Sequence, residues 1–202
     1  MTKKLHYFSG ITISVFVAIH LVNHLMLFQS EQAHMAFMTV ARKFYRNPFC
    51  ETLLLIAIIT QVVSGIQLVK NKWKIKQDIF DRLQIYSGLF LSYFLTVHVS
   101  SVLVGRYVLK LDTNLYFGAG VLNNNPALFY FIFHYGLAVI SFFIHIACMH
   151  KMKISKYPTA NGARLHAYNI IGIGCIISFL LLFKMIGLTI PTEYQFLPFG
   201  KY

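Results

Sequence analysis

Acidic residues are nearly missing from this chain: 6 Asp and Glu among 202 residues, against 18 Lys and Arg, for a net charge of +12. Charged side chains make up 12% of the sequence and hydrophobic ones 57%, with a mean hydropathy of +0.62. A soluble domain carries about 25% charged residues. Disorder and most soluble enzymes are therefore excluded. Cysteine is also scarce. Cys50, Cys148 and Cys175 lie far apart and form no CxxC or CxxCH, which leaves no case for a disulfide scaffold, an iron–sulfur cluster or covalently attached haem. No nucleic-acid-binding motif is present, and the cations fall in gaps between apolar runs, where they serve membrane orientation and lipid headgroups.

What is abundant is long apolar sequence. Five runs reach the ~20 residues needed to cross a bilayer: about 7–28, 51–69, 83–107, 127–149 and 167–188. Pro48, Asn123-Asn124-Asn125-Pro126, Pro158 with Asn161-Gly162, and Pro191 fall between or after them, as breakers should. The first run has no cleavage signal behind it and reads as a retained span. The expected fold is an all-α membrane protein. One domain, 1–202, holds five transmembrane helices in a bundle.

Orientation follows from the cations. Lys3, Lys4, Lys70, Lys72, Lys74, Lys76, Arg82, Lys151, Lys153, Lys156 and Arg164 fall on one side; Arg42, Lys43, Arg46, Arg106, Lys110 and Lys201 fall on the other. This asymmetry predicts a cytoplasmic N-terminus and an outer C-terminus. In the first gap, Ala33, Phe37, Val40, Ala41 and Phe44 recur at helical spacing, which predicts an interfacial helix on the outer side. The remainder reads as loop.

Ionisable residues inside spans are costly and mark functional sites. His20, His24, His98, His134 and His145 all lie within spans. His20 and His98 each follow a Ser-Gly pair (Ser9-Gly10 and Ser87-Gly88) and sit about 20 and 22 Å along their helices from the cytoplasmic end. Matched depth on two parallel spans suits two imidazoles ligating one haem iron from opposite sides. The glycines, about three turns below, would let a macrocycle approach the backbone. The competing reading is a pair of histidines hydrogen-bonded to their neighbours. His24 shares the face of His20 and reads as a quinone or propionate contact; His134 reads as a hydrogen-bonded core residue.

His145 lies near the cytoplasmic end of its span. A second haem there needs a ligand at the same depth on span two, which offers Thr60, Gln61, Ser64 and Gln67 instead. Gln61 is a poor iron ligand. The polar stripe is either a helix–helix contact or a quinone-headgroup pocket, with Arg82 and His145 as further donors. His6, His150 and His166 fall at the cytoplasmic interface and read as solvated, or as contacts to a partner subunit or a haem propionate.

Taken in order, these features resemble the five-helix cytochrome b anchor of succinate dehydrogenase and fumarate reductase, over nearly the whole chain. Lys4-Leu5-His6 with Gly10 and His20-Leu21 resembles that family's first helix. Phe44 to Phe49, with Asn47-Pro48, resembles the end of its outer connection. Arg82-Leu83-Gln84, Ser87-Gly88 and His98-Val99 resemble the third helix. The resemblance implies two stacked b haems: a distal one on helices one and three, matched by His20 and His98, and a proximal one on helices two and four. His145 matches one proximal ligand. Gln61 stands where the other is expected, which leaves the near site empty, holding a quinone, or binding a haem with an unusual ligand. The resemblance also implies partners on the cytoplasmic face, a flavoprotein and an iron–sulfur subunit, with membrane quinone as electron acceptor or donor. The chain itself would be a non-catalytic electron-transfer subunit. It has no GxGxxG nucleotide motif. The expected location is a bacterial cytoplasmic membrane, since no transit-like segment opens the sequence. Two alternatives remain open: a haem-free scaffold or assembly protein of the same fold, and a b-type quinone oxidoreductase subunit serving another donor. A transporter fits less well, because five spans offer no inverted-repeat pair.

Overall fold

The computed structural model describes residues 1–72, 78–155 and 162–195. Lys74, Lys76, Lys156, Pro158, Asn161 and Lys201 lie outside the described residues. Seven α-helices follow one another: α1 (Thr2–Leu25), α2 (Glu31–Tyr45), α3 (Pro48–Lys72), α4 (Ile79–Tyr107), α5 (Leu115–Leu122), α6 (Ala127–Ile154) and α7 (Ala163–Met185). Among the described residues there is no strand. Five helices are long and apolar enough to cross a membrane, at 23 to 29 residues each. At 1.5 Å per residue they span about 35–44 Å, more than the ~30 Å hydrocarbon layer. This is a multi-pass membrane protein.

The spans run longer than the apolar runs alone suggest, because polar residues continue the helices past the apolar stretch. α1 starts at Thr2, so Lys3 and Lys4 are helical and exposed. Long cationic side chains reach outward from a helix end without stopping it. Local signals fix the starts. Pro48 occupies the first position of α3, where its missing N–H costs nothing. Asp78 accepts from the Asp81 backbone N–H while Asp81 accepts from the Asp78 N–H, which caps α4 on both sides. Ser30 accepts from Ala33 N–H to start α2. After α7, Gly187 takes a left-handed φ of 87°, the usual glycine stop. Its N–H donates to Asn123 Oδ1, and Asn123 Nδ2 donates to the Met185 carbonyl. The ends of α5 and α7 are tied together in this way.

The spans alternate in direction, and α6 packs on α4 and α7, α1 on α3, and α3 on α4. Small residues allow the closest approach. Gly174 lies against Phe143, and Ser178 Oγ donates to the Gly136 carbonyl, a membrane style of helix contact. Large apolar side chains such as Ile59, Phe133, Phe179 and Phe183 face outward, which suits lipid and not water.

Two elements cover the end of the helices away from the N-terminus. One is α2, where the sequence predicts it. The other is α5, a helix in a stretch that reads as loop. Gly118 and Gly120 weaken its helix propensity, but Leu115, Ala119 and Leu122 are buried with Leu27 and Met185. Tertiary burial outweighs local preference there. Polar ties bind this layer: Arg42 to Asp112 at 2.9 Å, Arg46 Nη2 to Thr113 Oγ1 at 2.8 Å, and Tyr116 OH to Glu31 at 2.6 Å.

Candidate functional site

At the covered end, α1 and α4 bring His20 and His98 together, edge toward ring. Their ring centres are 6.3 Å apart and their planes cross at 62°. Each imidazole stacks on a phenylalanine one turn earlier on its own helix: His20 on Phe16 at 13°, His98 on Phe94 at 12°. Phe16 and Phe94 belong to the same sequence repeat as the Ser-Gly pairs, so the two helices present matching Phe–His ladders. The stacking fixes each ring through the i, i+4 geometry of the helix.

A third imidazole adjoins them. His24 Nε2 is 3.3 Å from His20 Nε2. His24 faces His34 of α2, 5.4 Å between centres, and Asn23 Nδ2 is 3.3 Å from His34 Nε2. His34 is buried, at 1% exposure; burial, with His20 and Arg42 nearby, pushes it down to about 4. His24 Nδ1, His34 Nδ1 and Asn23 Oδ1 are buried without a hydrogen-bond partner among the described residues. Such orphaned polar atoms ask for a ligand or water. His134 is buried among Phe94, Tyr130 and Tyr135, with Tyr130 OH 3.5 Å from its Nδ1.

At the end carrying the N-terminus, the arrangement differs. Gln61 of α3 receives a hydrogen bond from Ser9 Oγ at 2.6 Å, and a Cβ at Gly10 would lie 3.3 Å from the Gln61 amide. His145 of α6 meets the equivalent pair on α4: Ser87 Oγ is 3.2 Å from its Nδ1, and a Cβ at Gly88 would lie 3.1 Å from its Cε1. The Ser-Gly pairs therefore seat Gln61 and His145 and do not lie against the His20–His98 pair. Gln61 and His145 hold corresponding seats, each against a Ser-Gly pair of the neighbouring helix.

His6 is half-buried between helices and not fully solvated, a correction to the first sequence reading. Because α1 begins before it, His6 lies between α1 and α3. Its Nδ1 is 3.0 Å from Ser64 Oγ, and Gln61 Nε2 is 3.2 Å from its Nε2. Its ring centre is 6.4 Å from that of His145, with planes at 68°. A signal for this was present in the sequence. Gln61-x-x-Ser64-Gly65 repeats Gln84-x-x-Ser87-Gly88. Each copy seats one histidine from another helix: a Cβ at Gly65 would lie 3.3 Å from His6 Cε1, and one at Gly88 3.1 Å from His145 Cε1.

One cavity of about 1470 Å³ runs between the two histidine pairs. His6, His20, His24, His98 and His145 line it, with Gln61 and the glycines Gly10, Gly65 and Gly88. It exceeds the ~300–1,000 Å³ of ordinary ligand pockets. Arg46 and Arg106 line it at the covered end, Lys3 and Lys153 at the other. Arg82, Ser64, Thr60 and Gln67 do not. Ser64 instead spends its hydroxyl on the Thr60 carbonyl at 2.5 Å and on His6. Arg82 and the span-two stripe, expected to form a quinone pocket, are not part of this cavity's wall. His150 pairs with His166, 5.8 Å between ring centres.

The ring separation of His20 and His98, 6.3 Å, is the quantity to compare with haem ligation. A metal–imidazole bond is about 2.0–2.1 Å and a ring centre lies about 1.2 Å behind its nitrogen, so two imidazoles across one iron have centres about 6.4 Å apart. Among the described residues no three His, Cys, Asp or Glu side chains converge to hold a metal ion. Two imidazoles on facing helices suit a metal that brings its own four equatorial ligands, as in a tetrapyrrole; His24 adjoins His20 as a rival third ring. The chain matches no known protein family model, no curated protein and no solved structure.

Proposed function

We propose that this chain is a haem b-containing membrane anchor of a succinate:quinone oxidoreductase, a succinate dehydrogenase or fumarate reductase, and that it passes electrons between an iron–sulfur subunit and membrane quinone. The observation that carries the reading is the opposed His20–His98 pair, 6.3 Å between ring centres, on the wall of a cavity large enough for tetrapyrrole. When bound there, haem b supplies reversible one-electron chemistry. The chain's own residues do the rest. Phe16 and Phe94 hold the two imidazoles in place by stacking. Arg46 and Arg106 suit the haem carboxylates. His24, with its orphaned Nδ1 on the same cavity, suits a quinone oxygen or a carboxylate.

Sidedness rests on the cation count, eleven against six. With the N-terminus in the cytoplasm, the basic ends of α3, α4 and α6 face an iron–sulfur protein and its flavoprotein partner there. A positive surface steers acidic partners. A bacterial cytoplasmic membrane is the location this implies.

The test is the haem-to-protein ratio of the purified membrane protein, read by pyridine haemochrome and reduced-minus-oxidised spectra. At least one b haem per chain is expected, and His20→Ala and His98→Ala should each abolish the same spectral component. Well-folded chain without haem would overturn the cytochrome reading and leave a haem-free scaffold. Haem without co-purifying flavoprotein and iron–sulfur subunits would point to a quinone oxidoreductase for another donor.

A further inference from the structure

The second pair of imidazoles calls for its own account. The family resemblance expects a proximal haem ligated from helix two, and this chain has no histidine on α3. We propose that the missing ligand is supplied by helix one instead: His6 and His145 hold a second b haem between them. This rests on the haem-binding reading above.

Three observations carry it. First, spacing. His6 and His145 stand 6.4 Å apart between ring centres with planes at 68°, nearly the arrangement of His20 and His98 at 6.3 Å and 62°. Two pairs at the same separation, at opposite ends of one cavity, match the ~6.4 Å expected across one iron. Second, tautomer. Ser64 Oγ lies 2.5 Å from the Thr60 carbonyl and must donate there. It can then only accept from His6, so the His6 proton is on Nδ1 and Nε2 is left with its lone pair. A ligating histidine characteristically donates its other ring N–H to such an outer partner. His145 Nδ1 likewise lies against a serine, Ser87 Oγ at 3.2 Å, which is also 3.2 Å from the Gln84 carbonyl. Third, the seats repeat. Gln61-x-x-Ser64-Gly65 and Gln84-x-x-Ser87-Gly88 each receive one imidazole edge over the glycine, close enough that a Cβ would crowd it.

The two halves are also exchanged in a telling way. In α1 and α3 the histidine is on the first helix and the glutamine on the second, His6 and Gln61. In α4 and α6 the glutamine is on the first and the histidine on the second, Gln84 and His145. Gln61 occupies the ligand position of the family but acts as a donor to His6 Nε2. With His6 Nε2 as a ligand, Gln61 would give up that contact and keep Ser9 as its partner.

The experiment uses the full chain, purified with whatever subunits accompany it, from haem-replete membranes. About two b haems per wild-type chain are expected. His6→Ala and His145→Ala should each fall to about one and lose the same component, while the His20–His98 component survives and certifies the fold. In the His6→Ala background, Gln61→His should restore the lost component, because it returns the ligand to helix two. One haem per wild-type chain, sensitive only to His20 and His98, overturns this proposal and leaves the function reading intact. Two haems persisting in His6→Ala likewise overturn it. No haem in folded wild-type protein removes the function reading itself.

Discussion

The two ends of the cavity hold imidazole pairs of nearly the same geometry in unlike surroundings. At the covered end, His20 and His98 are fixed by stacking on Phe16 and Phe94 and crowded by a third ring, His24. At the N-terminal end, His6 and His145 are fixed by serine hydroxyls and seated over glycines. One pair is oriented within its own helices, the other by neighbouring helices. The difference teaches that a common ring separation can be reached by apolar stacking at one site and by hydrogen-bonded docking at another. The first should tolerate loss of small polar groups, and the second should not.

The sharpest way to break that contrast is steric. Gly88→Val would drive a branched side chain into His145, where even a Cβ comes within 3.1 Å of Cε1. Complete loss of the His145-dependent spectral component is expected, with the His20–His98 component kept. Gly118→Ala is the matched control: its Cβ would meet only Met185 Cε at 3.7 Å, and both components should remain.

A smaller effect is expected from the serines. Ser64→Ala and Ser87→Ala remove the partners of the imidazole Nδ1 atoms without touching a ligand. Loss of such outer partners typically weakens metal affinity by about 10–100-fold. Titration of apoprotein with haem should show that loss for the N-terminal pair alone. An equal weakening at both ends would mean that the two pairs are not independently held.

The smallest expected effect is in pH dependence. His34 is pushed down to about 4 by burial, with His20 and Arg42 beside it, against 6.5 in an unfolded chain. The unfolded state therefore binds a proton between pH 6.5 and about 4 that the folded state refuses. Stability from this group is full above 6.5, declines as pH falls through that window, and changes no further below it. The thermal midpoint of detergent-solubilised protein should fall on acidification, and His34→Gln should flatten the slope. An unchanged slope would show that His34 is not held neutral.

Much of the fold was legible in the chain itself. Runs of ~20 apolar residues must cross a bilayer as helices, because lipid leaves backbone groups no other partner. α2 was legible from its period of three and four. The approach of His20 to His98 was legible too, since both sit at one depth on spans that run the same way. Less legible was α5, whose glycines argue against helix until Leu27 and Met185 are packed on it. Nor was it apparent that Arg82 and the span-two stripe would miss the cavity, because depth along a helix says nothing about which way a side chain faces.

His6 marks the boundary between the two kinds of information. The sequence by itself determined how many times the chain crosses, which histidines share a depth, and that α3 carries glutamine and no histidine. Those follow from hydrophobic length and a fixed rise per residue, both properties of one segment at a time. Only the tertiary structure decided that α1 continues back past His6 and that α1, α3 and α6 meet there, so that His6 faces His145. Which side chains meet depends on how helices rotate and pack against one another, and that is set by small residues such as Gly65 and Gly88 making room for a neighbour's ring.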